Sequence, residues 1–206
     1  MYRCNGQQAV DTAFYEASAG GIGAFRLVDV LEDELDPENE NKRIDVVQIP
    51  DADQSVWWDV NAKLFDKRDA TKCWVITAMA RSAFEAEYGT TGLSDWPINT
   101  EKPYYDWFTP DVVKVAEYYE VETVNVPRYA LSHPLTGKTL VLQGEDAADE
   151  VRELKAGGWK ASKPRTVKQR RVHKYIMSGC DVLEDCGYIA GDRIPVVLTY
   201  GKRLFS

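Results

Sequence analysis

Three aspartates stand within one short stretch, VWWDVNAKLFDKRDATKCWV from Val56 to Val75: Asp59, Asp66 and Asp69. Carboxylates at this density are the raw material of a divalent-metal site. A metal-dependent nuclease uses them to hold two ions about 3.5–4 Å apart. That chemistry needs carboxylates that converge, and convergence is usually built from separate strands. Here all three lie on one segment, and Lys63, Lys67, Arg68 and Lys72 stand among them, a mixture that attracts Mg²⁺ poorly. The competing reading is structural. Aspartates in a turn or at a short helix start accept hydrogen bonds from backbone N–H groups, and the bases then pair with them. We read Asp59, Asp66 and Asp69 as turn residues, with the nuclease as the alternative, and assign no catalytic, cofactor-binding or metal-ligating residue.

A second group is basic. Lys155, Lys160, Lys163, Arg165, Lys168, Arg170, Arg171 and Lys174 follow one another with no acid between Lys155 and Lys174. Such a run can contact a phosphate backbone, line a subunit interface, or form the solvated face of a strand. Lys168, Arg170, Val172 and Lys174 share one face if the segment is extended. Lys168, Arg170, Arg171 and Lys174 are the candidates for subunit or DNA contact, the subunit being favoured. The net charge of −8 argues against a dedicated nucleic-acid binder. Its counterpart is acidic: Asp29 to Asp53 holds a run of acids against only Lys42 and Arg43.

The remaining chemistry-bearing residues are weaker signals. Tyr104, Tyr105, Trp107 and Phe108 could cage a ligand, but anchoring a loop to the core is the plainer expectation. His133 precedes Pro134 in a turn and His173 lies on a strand, neither with a neighbouring Ser or Cys placed as a triad partner. HPLTGK lacks the leading glycine of a phosphate-binding loop, and Gly20, Gly21 and Gly23 follow a helix where a dinucleotide turn must follow a strand. Cys4, Cys73, Cys180 and Cys186 are scattered and form no zinc pattern. Cys180 and Cys186 could face each other across a hairpin, though free thiols are the expectation.

These groups need elements to hold them. Residues 6–18 predict a helix with Ala9, Val10, Ala13, Phe14 and Ala17 on its apolar face. FRLVDVLEDEL and RIDVVQIP predict a long hairpin around the turn cluster DPENENK. SVWWDV reads as a strand, Thr77–Tyr88 as a helix stopped by Gly89, and 90–110 as an ordered loop. VVKVAEYYEVETVNV is a strand, HPLTGK a turn and TLVLQ a short strand. EDAADEVRELKAGG is a helix with acids early and bases late, as the helix dipole prefers. TVKQRRVHKYIMSGCDVLE and RIPVVLTYG close the chain as strands. This order predicts an α+β fold of mainly antiparallel strands and hairpins with a few packed helices, as one domain over 1–206. No apolar run approaches the roughly 20 residues of a membrane span, and no signal peptide is visible. The abrupt helical start is what a piece of a longer protein would show.

The stretches GIGAFRLV, WD…KLFDKRDA…C (Trp58 to Cys73), VAEYYEV, RRVHK and YIAGDRIPVV, in this order and spacing, carry a resemblance spanning nearly the whole chain. It resembles the portal proteins of short-tailed temperate phages, the group typified by the Salmonella podophage portal. The resemblance implies a non-enzymatic, cofactor-free part of a twelve-subunit ring at one capsid vertex, in the virion and, during assembly, in the host cytoplasm. It implies other portal subunits, capsid and scaffolding proteins as partners, and double-stranded DNA passing through the ring. Terminase and tail adaptor would engage regions outside this chain, which resembles the peripheral wing. On this reading the aspartate stretch is a structural signature of the family.

Overall fold

The computed structural model describes residues 6–32, 41–89, 107–144, 147–179 and 181–201. Its elements run α1 (Gly6–Gly20), β1 (Ile22–Leu31), β2 (Lys42–Ile49), α2 (Ala52–Ser55), β3 (Val56–Trp58), β4 (Lys72–Ala80), α3 (Arg81–Tyr88), β5 (Val112–Ser132), β6 (Thr139–Gln143), α4 (Ala147–Ala156), β7 (Lys160–Ala161), β8 (Arg165–Ser178), β9 (Asp181–Ile189) and β10 (Val196–Tyr200). One sheet has the order β10-β1-β2; the other runs β3-β4-β5-β8-β9, with β6 and β7 paired to β5. Antiparallel pairing joins β1 to β2 and β10, β3 to β4, β4 to β5, and β8 to β9. The fold is α+β with hairpins, as the pattern predicted.

The chain divides into two compact units, one of residues 1–121 and 172–206, the other of 122–171. In the first, a core of Ala24, Ile49, Ala52, Cys73, Val75, Tyr119, Val172 and Val196 joins the three-stranded sheet to one face of the larger sheet. Phe84 of α3 packs with Phe108, Val113 and Val115 in a neighbouring cluster. In the second, Val126, Leu131, Ala147 and Val151 are buried. Ten basic side chains against six acidic ones give that second unit a net +4, so the chain total of −8 leaves −12 on the first.

Two expectations change. Thr77–Ala80 is not helical: it extends β4 opposite Val112–Val115 of β5, and α3 begins only at Arg81. The long-range ladder outweighs the local helical preference of this alanine-bearing segment. Helix α1 forms, but it buries Gly6, Ala9, Ala13 and Ala17 alone, while Val10, Phe14 and Tyr15 are exposed. The reason is close approach. A Cβ on Gly23 would lie 1.8 Å from the carbonyl oxygen of Ala13, and one on Gly201 would lie 2.4 Å from that of Ala17. Thr199 of β10 donates its hydroxyl to the Ala13 carbonyl at 3.1 Å. Only the small-residue side of the helix can lie this near the sheet.

Candidate functional site

The aspartate stretch folds as a loop, 59–71, between β3 and β4. It closes where the Asp59 amide donates to the Lys72 carbonyl at 3.0 Å. The Asp59 carboxylate accepts the Thr71 hydroxyl at 2.6 Å and the Asn61 amide at 2.9 Å. Those bonds, the Thr71 hydroxyl first, hold its carboxyl below the usual aspartate range. Asp69 reaches across the loop and accepts the amides of Lys63 at 2.7 Å and Leu64 at 3.1 Å. Burial alone would raise its carboxyl, but the two amides outweigh it and the net shift is downward. Asp66 accepts the Arg68 amide at 3.3 Å. Lys67 sits in the left-handed region at φ 52° and donates its ammonium to the Ala62 carbonyl at 2.9 Å. The three carboxylates thus serve three different stretches of their own loop. Among the described residues no group of three His, Cys, Asp or Glu side chains is placed to hold a metal ion. The geometry lends the nuclease reading no support.

The basic residues separate. Lys168 is exposed and Arg170 and Arg171 are half-buried in the 122–171 unit. Lys174 belongs to the other unit and turns inward to Glu117 at 3.2 Å. Val172, on the same face as Arg170 and Lys174, is fully buried, so the strand face they share is not a purely solvated one. Of the acidic segment, Asp29 bonds Lys42 at 3.0 Å and Arg43 bonds Asp45 at 3.0 Å; residues 33–40 lie outside the described residues.

Glu117 is the site that sequence reasoning passed over. It stands on β5 and carries Arg26 of β1, Lys174 of β8 and the hydroxyl of Tyr119, the last at 2.9 Å. Side-chain exposures of 18% for Glu117, 27% for Arg26 and 24% for Lys174 put the network largely inside. Burial would raise the Glu117 carboxyl, but the two cations and the Tyr119 hydroxyl prevail and it lies below the ordinary glutamate range. The signal was there: Val113, Val115, Glu117 and Tyr119 alternate on one face, so an acid stands in the apolar phase of a strand. Such a group must be paired.

The histidines are both engaged. His173 Nε2 is 2.5 Å from Asp185 Oδ1, its Nδ1 is 3.2 Å from the Tyr175 hydroxyl, and its ring stacks on Tyr175 at 4.2 Å. His133 Nδ1 accepts the Thr136 amide at 3.3 Å in its turn. Phe108 is buried and Trp107 packs beside it; Tyr104 and Tyr105 lie outside the described residues. Cys73 is buried and Cys186 exposed, both free; Cys4 and Cys180 lie outside the described residues. No described helix is long and apolar enough to cross a membrane.

In comparison with known proteins, residues 1–206 match the family described as Phage P22-like portal protein. A curated portal protein of Acyrthosiphon pisum secondary endosymbiont phage 1 is 35% identical over 201 residues, which cover 98% of this chain and 28% of the relative. The chain thus spans well under a third of that relative's length.

Proposed function

The chain belongs to the P22-like phage portal protein family, and on that premise we propose that it is a structural, non-catalytic wing-like part of a portal ring. In this reading twelve copies of a longer polypeptide form the head-tail connector through which double-stranded DNA is packaged and ejected. Its partners are neighbouring portal subunits and the capsid and scaffolding proteins. Terminase and tail adaptor bind regions outside this chain. The protein resides in the virion and, during assembly, in the host cytoplasm.

The observation that carries the proposal is the family match along the whole chain. The aspartate loop supports it, since its carboxylates are spent on their own backbone. Lys168, Arg170 and Arg171, in the unit of net +4, are proposed to contact a neighbouring subunit or DNA. Lys174 would join such a contact only through its pair with Glu117.

Electron microscopy of a full-length portal polypeptide carrying this chain tests the ring; a monomer at assembly concentrations would refute it. The non-catalytic reading is tested with the purified chain and plasmid DNA in Mg²⁺ or Mn²⁺. No cleavage is expected. Cleavage abolished by Asp66→Ala would restore the nuclease.

A further inference from the structure

The loop 59–71 is pinned by its own carboxylates, yet three apolar side chains within six residues remain exposed, Phe65 with one side of its ring against Tyr200. Val60 is 93% exposed, Phe65 52% and Leu64 39%. Single exposed apolar residues are ordinary; three together on a backbone held by Asp59, Asp69 and Lys67 are a preformed contact surface, because the ordering cost of binding is already met. Alanines 62 and 70 are buried and anchor the loop. Asp59 and Asp69 turn inward onto loop amides, while Lys63 and Arg68 are exposed.

The β1–β2 hairpin offers a surface of matching chemistry. Its register sets Leu27 opposite Val46, Asp29 opposite Ile44 and Leu31 opposite Lys42, all on one face. Helix α1 packs on that face at Gly23, which lies against the backbone of Ala13. Beyond it Ile44 is 69% exposed, with Leu27 and Leu31 also exposed. Asp29, paired with Lys42 at 3.0 Å, lies on this face, and Glu32 follows the strand end at the root of the acidic run that continues in the sequence to Glu40.

The two surfaces cannot meet within one copy. Phe65 packs on Tyr200, 4.6 Å between ring centres, and Tyr200 pairs with Ile22 at the start of β1. Leu31 lies nine residues further along that strand, about 30 Å away at about 3.3 Å per residue. We propose that the loop 59–71 of one copy docks on the distal face of the β1–β2 hairpin of a second copy, Val60, Leu64 and Phe65 against Leu27, Leu31 and Ile44, with Lys63 and Arg68 facing the acidic root. Two different surfaces at opposite ends of one strand make a head-to-tail contact, the kind that closes into a ring. The proposal rests on the ring reading and names one of its subunit contacts.

The test places a photo-crosslinking phenylalanine analogue at Phe65 in a full-length portal polypeptide carrying this chain, with ¹⁵N-labelled and unlabelled copies mixed and micrographs taken in parallel. Irradiation is expected to join residue 65 to residues 27–46 of a different copy. Ile44→Asp, at an exposed position, is expected to cut that yield about fivefold or more and to leave the thermal melt unchanged. Rings without this cross-link, or with cross-links mapping elsewhere, overturn the contact and leave the ring standing. The cross-link without rings upholds the contact and overturns the ring. An unaltered yield in Ile44→Asp also overturns the contact.

Discussion

Replacing Glu117 by alanine leaves Arg26 and Lys174 half-buried with no carboxylate between them, and deprives the Tyr119 hydroxyl of its acceptor. Removing one partner of a buried ion pair costs about 3–5 kcal/mol, most of it the penalty of the uncompensated charge left behind. Exposures of 18–27% let water reach part of the network, so the lower end, about 3 kcal/mol, is expected. Against a total of roughly 5–15 kcal/mol that is a large share. At about 2–4 °C per kcal/mol for a chain of this size, the melting temperature should fall by about 6–12 °C at pH 7, read by circular dichroism. Glu117→Gln separates charge from shape. It keeps an acceptor for Tyr119 and nearly the same volume but leaves both cations uncompensated, so it should lose most of the same stability. A Gln variant that melts with the wild type would refute the electrostatic reasoning. Because the folded carboxyl lies below the ordinary glutamate range, its contribution is present above that range and is lost as pH falls through the depressed value. The gap between wild type and Glu117→Gln should therefore close in acid.

Asp59→Ala and Asp69→Ala should each lower the melting temperature, since each frees loop amides of their acceptor, and unchanged melts would contradict the pinned loop. Gly23→Ala should destabilise by about 1–3 kcal/mol or more, because its Cβ meets the Ala13 carbonyl at 1.8 Å; a neutral melt would refute the close packing of α1. The isolated chain should be monomeric or weakly associated by light scattering, since in the ring reading it is only a small part of the polypeptide that closes the ring; a stable ring of this chain alone would refute that. Arg170→Glu with Arg171→Glu in a full-length portal should impair ring formation at low salt, and normal rings would remove these residues from the subunit contact.

The parts of the fold legible in the sequence are those where local pattern and long-range pairing agree. The alternating strands of the β1–β2 hairpin pair antiparallel, and α4 carries Asp149 and Glu150 in its first turn and Lys155 in its last. The aspartates accept hydrogen bonds from amides of their own loop, a local property of carboxylates that short spacing suggests. Where the two levels conflict, the sequence misleads. Thr77–Ala80 has helical composition, and only its partner Val112–Val115 makes it a strand. Lys174 looks like one more base in a basic run; its role depends on Glu117, far away in the chain. The exposed trio on loop 59–71 was hidden for the same reason, since apolar residues in sequence carry no mark of which way they face.

Helix α1 has a further consequence. Because its backbone nearly touches the sheet, the positions that secure it are the bland ones, Ala9, Ala13 and Ala17, and the large apolar residues Val10, Phe14 and Tyr15 stand off it. For the fold alone, tolerance to substitution along this helix runs opposite to hydropathy. Serine or lysine in place of Phe14 is a surface change, whereas valine in place of Ala13 pushes the helix off its bed. A scoring of variants by hydrophobicity would rank these sites in reverse order, and a relative that drifted at Phe14 while holding Ala13 would be obeying sterics rather than the oil-drop picture of a core.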